Sequence, residues 1–493
     1  LHNRIFCALL ATVLGGCAVG PDFHRPVAPD ATGFTETPLP AQTASADTKL
    51  GAAQQFQPGA DIPAQWWTLF HSPALNAMIE KGLQHSPTID AARAALRQGY
   101  ELVRAQQGDY YPQLVGSFSP SRNLTPTGAL SPASASGNPY YSLFTLQGNI
   151  SYTPDVFGLT RRTVESVAAQ AENARFQLEA TDLNLAGNIA AAAILEASLR
   201  GQVAATQETI DVETRTLGIL NRTFDLGQIA QADVVTQQAA LAQAQLLLPS
   251  LQKQLSQQHD LLAVLVGDLP SDGPTPAFTL DQLQLPEQIP VSVPAQLVEQ
   301  RPDVRAAEAT LHAATAQVGI AVANRLPNIT LSASGGYAAN QIGQIGAAGT
   351  QFWSVGATLL QPVFEGFALY HKQAAAEAGL DEAAAQYRQA VLTAFQNVAD
   401  SLDALRIDAD GLRAAATAEA AALHSLQIIQ RELDLGQIAY LNVLTAEQTY
   451  QSARLALVQA QAARLADTAS LFQALGGGWW NRPAEGSDKP QGL

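Results

Sequence analysis

The chain has 493 residues, 47% of them hydrophobic and only 14% charged, a balance that supports a large buried core and excludes a disordered polar chain. Its 43 acidic against 27 basic residues leave a formal charge of −16, which repels phosphate backbones, so nucleic acid is not an expected partner. Both cysteines, Cys7 and Cys17, fall at the N-terminus, so no disulfide or cysteine-held metal is expected in the body.

In chain order, Arg4 precedes the apolar run 5–14, which is shorter than the ~20 residues a membrane-spanning helix needs, and Leu14-Gly15-Gly16-Cys17 follows. Residues 1–16 resemble a bacterial lipoprotein signal peptide, with Cys17 as the lipidation site and palmitate its expected modification. An ordinary secretory signal with an incidental cysteine is the alternative. Ala18 stands where an aspartate would retain a lipoprotein at the inner membrane, so outer-membrane delivery is expected. Residues 17–65, rich in Pro, Ala, Thr and Gly without a sustained period, read as a lipid-anchored tether. N-terminal helices are expected over 66–108, beginning at Trp66-Trp67 and punctuated by Ser86-Pro87-Thr88.

Residues 109–158 and 326–366 change character. Phe144, Leu146, Gly148, Ile150 and Tyr152 alternate with Thr145, Gln147, Asn149 and Ser151, and the later stretch repeats the pattern with Ile329, Leu331 and Ala333, then Trp353, Val355, Ala357 and Leu359. Period two predicts four strands, each with one apolar and one polar face. Each has about the ten residues a tilted strand needs to cross a bilayer. Aromatics crowd their ends as a candidate girdle: Tyr110, Tyr111, Tyr140, Tyr141, Phe157, Phe352, Trp353 and Phe364. Alternation alone also fits a soluble four-stranded sheet packed on helices.

Two helical hairpins, over 159–266 and 367–475, follow the strand pairs. Val164, Ala171, Leu178, Leu185, Ala192 and Leu199 recur every seven residues, as do Val234, Leu241, Leu248, Leu255 and Leu262, which predicts coiled-coil packing. A descending run of some 65 residues extends about 100 Å at helical rise. The hexapeptide Asp225-Leu226-Gly227-Gln228-Ile229-Ala230 returns unchanged as Asp434-Leu435-Gly436-Gln437-Ile438-Ala439, one copy at each hairpin turn, so the chain reads as a duplication with turns near 225–233 and 434–442. Glycine suits a helix stop because it enters the left-handed region freely. Between the halves, 267–301 is proline-rich, with Pro270, Pro274 and Pro276, and reads as an irregular equatorial segment. A helix over 302–325 leads back to the strands. The tail, 476–493, is polar after Trp479-Trp480.

Four transmembrane strands cannot close a barrel, since an open edge is not tolerated in lipid and the smallest barrels have eight, so copies must assemble. Three copies give twelve strands and room for water. Cys17-Ala18-Val19-Gly20-Pro21-Asp22-Phe23, Trp66-Trp67-Thr68-Leu69-Phe70, the paired hexapeptides and Leu475-Gly476-Gly477-Gly478-Trp479 together resemble the TolC-like outer membrane factors, and among them the NodT-type lipoproteins of RND efflux systems. That resemblance spans residues 17–480. It implies an α+β membrane protein: a homotrimer with a 12-stranded transmembrane β-barrel, four strands per chain, continued by a 12-helix coiled-coil periplasmic tunnel. It also implies a periplasmic membrane fusion (adaptor) protein, an inner-membrane RND transporter and outer membrane lipids as partners, and multidrug efflux as the process.

The same resemblance puts both turns at the periplasmic tip and makes Leu226, Gly227, Gln228, Leu435, Gly436 and Gln437 candidates for adaptor docking; plain C-cap glycines are the alternative. TolC-type members carry acidic residues six and nine positions beyond the second glycine. Here those positions are Asn442 and Thr445, while Asp233 keeps an acid at the equivalent step of the first turn, so the aperture gate is expected to be weakly cation-selective. Nothing points to an enzyme or a cofactor. The eight histidines have no metal-site spacing, and the glycine-rich run 343–349 lies between strands without the helix a phosphate cradle requires. The remaining functional alternatives are the channel of a type I protein secretion system and a structural coiled-coil lipoprotein without a pore.

Overall fold

A computed structural model describes residues 18–124, 140–272 and 278–482, so Cys17 and the end of the tail lie outside the described residues. The elements in order are β1 (Gln55–Pro58), α1 (Pro73–His85), α2 (Pro87–Gln107), β2 (Gln113–Leu124), β3 (Tyr140–Tyr152), α3 (Leu159–Asp225), α4 (Gln231–Leu265), β4 (Gln288–Val291), α5 (Pro294–Gln300), α6 (Pro302–Ala323), β5 (Asn328–Ala339), β6 (Gln351–Leu360), α7 (Ala368–Asp434) and α8 (Tyr440–Ala474). Two compact units contain them: 18–25, 95–174 and 307–387 in the first, 26–94, 175–306 and 388–482 in the second.

In the first unit, β2-β3-β5-β6 form an antiparallel sheet in that order. The register carries one face across all four strands: Leu114 opposes Ile150, Ile150 opposes Ala333 and Ala333 opposes Val355, while Phe118, Leu146 and Tyr337 line up beside them. The reverse face is polar, with Ser119 opposite Thr145, Asn149 opposite Ser334 and Ser334 opposite Ser354. Alternation in the sequence becomes two chemically distinct faces because paired residues on antiparallel strands point the same way. Neither face is covered among the described residues: Trp353 is 80% exposed and Val355 74% on the apolar one, and Ser119, Ser354 and Thr358 are exposed on the polar one.

The helical part of this unit packs on small residues. A Cβ at Gly99 would sit 3.3 Å from Ala171, and one at Gly20 only 2.4 Å from the Gly319 backbone. Against this surface lie residues 18–25, and buried Arg162 holds them. Its guanidinium donates to the Val19 carbonyl (3.1 Å) and to Asp22 (2.6 Å), and pairs with Glu165 at 2.7 Å. Phe23 stacks on His312 with ring centres 4.3 Å apart.

In the second unit, the nine heptad positions from Leu178 to Leu262 picked out in α3 and α4 are buried or half-buried, as a knobs-into-holes seam requires. Helix α4 continues through Pro249, whose missing N–H and ring clash ordinarily break a helix. Trp66 and Phe70 close over Phe472 on α8, with ring centres 5.6 Å and 6.4 Å away. The Gly476-Gly477-Gly478 turn has three successive positive φ values (95°, 67°, 72°), and a Cβ at any of them would strike a neighbour within 2.6 Å. Only glycine meets both conditions.

Two segments differ from the sequence reading. The tether is extended but not free. Besides its contacts at 18–25, Gln54 and Thr43 are buried, β1 pairs in parallel with β4, and buried Arg464 of α8 donates to the carbonyls of Leu50 (3.0 Å) and Ala52 (2.7 Å). The proline-rich segment is not wholly irregular, since it supplies β4 and then α5, where Pro294 occupies the first helical turn that tolerates its missing N–H.

Candidate functional site

The two hairpin turns share one geometry. In the first, Gln228 N–H donates to the Thr223 carbonyl (3.1 Å) and Gly227 N–H to Phe224 (2.8 Å); in the second, Gln437 donates to Glu432 (2.9 Å) and Gly436 to Leu433 (2.8 Å). Both glycines have φ of 70°. This is the Schellman pattern, which satisfies orphan helix carbonyls through a left-handed residue. Space around either glycine is open, and the leucine before it projects outward, Leu226 73% and Leu435 72% exposed. Each turn is therefore a small backbone apex bearing one apolar knob. Gln228 and Gln437 are exposed beside them.

Of the gate candidates, Asn442 and Thr445 share a groove of about 390 Å³ between α7 and α8, together with Glu432, Ile438 and Thr449. Thr445 spends its hydroxyl on the Leu441 carbonyl (3.0 Å). Asp233 does not line this groove. Its carboxylate accepts the Ala230 N–H at 3.3 Å, capping the start of α4 from the third helical position. Asn442 holds the same position in α8, without that bond among the described contacts.

Sequence reasoning missed a buried polar network joining the hairpins. Tyr440 of α8 donates to Gln237 of α4 (2.7 Å), and the Gln237 amide donates to both the carbonyl (3.0 Å) and the carboxylate of Glu213 on α3. Gln237 is fully buried, Glu213 is 2% exposed and Glu447 on α8 is 6% exposed. Burial, then the charge of Glu213, push the Glu447 carboxyl up to about 7. The available signal was a polar residue on an apolar stripe: Gln237 lies three residues after Val234 and Glu447 four after Val443.

The candidate girdle divides between faces. Tyr140 and Trp353 are on the apolar face, whereas Tyr141 opposes Asn123 and Phe352 opposes Gly336 on the polar one. Tyr110 ends a short 3-10 turn, and Tyr111, Phe157 and Phe364 follow or precede strands without joining them.

Residues 78–268 and 293–477 match the family model described as outer membrane efflux protein. The chain belongs to the outer membrane efflux protein family. Among relatives, TtgC of Pseudomonas putida, a toluene efflux pump outer membrane protein, is 28% identical over 483 residues, 98% of this chain and 97% of that one. OpmQ of Pseudomonas aeruginosa, a pyoverdine export outer membrane protein, is 29% identical over 465 residues, covering 91% and 94%. The solved outer-membrane channel OprN superposes with a TM-score of 0.83 over 94% of this chain and 100% of its own, at 25% identity. A helical body joined to a small antiparallel sheet is thus the fold this efflux protein has in common with solved outer-membrane channels.

Proposed function

We propose that three copies of this outer membrane efflux protein form a passive exit duct for small molecules across the outer membrane. The observation that carries the reading is the sheet: four strands, apolar on one face and polar on the other, with neither face covered and β2 and β6 unpaired at its edges among the described residues. Free strand edges in lipid leave N–H and C=O groups unsatisfied, a cost of several kcal/mol each. Pairing β6 of one copy with β2 of the next removes every edge, and three copies yield a 12-stranded barrel wide enough for water. Lipid then meets the face of Trp353, Val355 and Leu359, and the lumen meets Ser334 and Ser354.

In this reading α3, α4, α7 and α8 of three copies make a twelve-helix periplasmic tunnel. The turns at Leu226-Gly227-Gln228 and Leu435-Gly436-Gln437 form its far rim and dock a periplasmic adaptor, which links the duct to an inner-membrane RND transporter. Exposed leucine knobs on glycine turns of identical geometry support a repeated docking motif. Acyl chains on Cys17 anchor the terminus in the outer membrane, and the hold of Arg162 on Val19 and Asp22 fixes the chain just beyond that residue.

Planar-bilayer recording of the purified oligomer tests the duct. Discrete conductance steps are expected, and a silent bilayer with a verified trimer overturns the reading. The anchor has its own measurement: labelled palmitate enters the wild type, and Cys17→Ser loses it.

A further inference from the structure

Among the described residues, a cleft of about 170 Å³ opens within the second unit where α3, α4, α7 and α8 meet. Its lining is mixed: Val212, Leu247, Leu426 and Leu455 give an apolar wall, while Thr206, Gln430, Gln451 and the Glu208–Arg454 pair share the cleft with Glu447. The two buried acids here differ in what they touch. The Glu213 carboxylate receives hydrogen bonds from Gln237 and Gln451. Glu447 has Gln430 for a partner, yet its Oε2 is buried and accepts no hydrogen bond. A buried carboxyl oxygen left without a donor is uncommon in folded proteins and costs about 1–3 kcal/mol or more. The Oε2 atom therefore lacks a donor, and the one cation lining the cleft, Arg454, is engaged elsewhere.

We propose that this cleft binds a small protonated amine, with Glu447 as the counter-ion and Leu247, Leu426 and Leu455 as the wall for its apolar body. An ammonium supplies both missing things, a donor for Oε2 and a charge opposing two buried acids. The cation in the lining does not do so: Arg454 pairs with Glu208 at 2.7 Å. That pairing also makes the cleft a poor anion site. A bare metal ion fits less well than an amine, because the only other carboxylate in the lining, Glu208, is paired with Arg454 and no group of three or more His, Cys, Asp or Glu is placed to hold one among the described residues. The volume matches a ligand of benzylamine size, about six waters' share of liquid.

The groups facing Glu447 set the pH dependence. From α3 they are Glu208 and Glu213, from α7 Glu419, which reaches Tyr450, and from α8 Tyr440, Tyr450 and Arg454; α4 lines the cleft with Ala244 and Leu247 alone. Acids outnumber the one cation, so a proton on Glu447 is the natural occupant in an empty cleft. Amine and proton then compete. Binding strengthens as pH rises through the Glu447 transition at about 7 and levels off above it.

The proposal does not rest on the duct, because binding to the purified protein needs no transport; a silent bilayer leaves it standing, and absent binding leaves the duct standing. The probe is 4-fluorobenzylamine, followed by its fluorine NMR signal during titration with the intact protein in detergent. Saturable binding is expected at pH 8, about tenfold weaker at pH 6. Glu447→Gln, which keeps the shape, is expected to weaken it at least about tenfold at pH 8. Leu247→Trp keeps the acid but fills the cleft, and is expected to abolish binding while circular dichroism stays as in the wild type. Equal amine affinity in wild type and Glu447→Gln overturns the proposal, as does unchanged binding by Leu247→Trp. So does a neutral 4-fluorobenzyl alcohol that binds as tightly as the amine.

Discussion

Helices α3 and α7 each run 67 residues and end in the same capped turn, yet their surroundings differ. In α3 the stretch from Leu185 to Leu199 is buried on nearly every side, with Ile189, Ala190 and Ala193 fully enclosed. Neighbours come from three directions: Gly82 of α1 abuts Ile189, Gln258 of α4 donates to the Ala192 carbonyl (3.1 Å), and Gly187 meets Gln473 of α8. Along α7 between 383 and 412 the buried residues make a single file, Ala383, Tyr387, Val391, Ala394, Val398, Leu402, Leu405, Ala409 and Leu412, spaced three or four apart. The other side shows Leu392 (66% exposed) and Ile407 (56%) to solvent. One chain completes the packing of α3 and leaves α7 half-packed. A one-sided helix with apolar residues on its bare side calls for a neighbour beyond the chain, and a second copy is the partner consistent with the proposed trimer.

Charge separates the two helices most sharply. Ile189→Asp places an unpaired carboxylate at a fully buried site, and the expected loss is about 4 kcal/mol or more, enough to prevent recovery of folded protein. Leu392→Asp puts the same charge on the bare side of α7. Far-UV circular dichroism of the single chain is expected to survive, while the trimer band on crosslinking weakens. Equal collapse of both variants removes the distinction between a self-sufficient helix and one that waits for a partner.

The contrast was only partly legible in the sequence, and the reason is the range of the interactions. Helix ends were readable because the Asp-Leu-Gly-Gln-Ile-Ala turn acts through local backbone geometry, and strand faces because alternation is local too. What covers Ile189 is set by α1, α4 and α8, far away in the chain. Arg464 and Arg162 fasten a segment whose Pro, Ala and Thr content suggested a loose tether, since the anchoring cations lie hundreds of residues or a full strand pair distant. Adjacent residues such as Phe352 and Trp353 must face opposite sides of a strand, so the girdle's division between faces was available from periodicity alone. The Glu213, Gln237, Tyr440 and Glu447 network needed three helices brought together, and only polar residues on apolar stripes hinted at it.

The turns are where the two halves agree, and equal substitutions test how far. Gly227→Val and Gly436→Val each force a β-branched residue to φ of 70°, a cost of about 1–2 kcal/mol against glycine. Open space around both sites leaves the strain as the sole penalty. Hydrogen exchange of the last helical amides is expected to speed up by a similar factor in both variants, with global melting little changed. A turn that responds alone breaks the equivalence of the hairpins.

Beyond the turns the halves part again, at Asp233 and Asn442. Asp233 sits third in α4 and accepts the Ala230 N–H, so part of its charge is spent on the helix's own start. Asn442→Asp puts a carboxylate third in α8, where the Ala439 N–H stands in the same relation. The capping gain is about 0.5 kcal/mol, small against the whole fold. Its consequence for conduction is larger than that figure suggests. Three copies of the variant add three carboxylates beside Thr445 in the groove near the proposed aperture, where the wild type has neutral amides. Cation preference in single-channel recordings is therefore expected to rise in Asn442→Asp. An identical preference in both proteins means that these positions do not face the permeating ions, and that the weak selectivity expected from the sequence has some other origin.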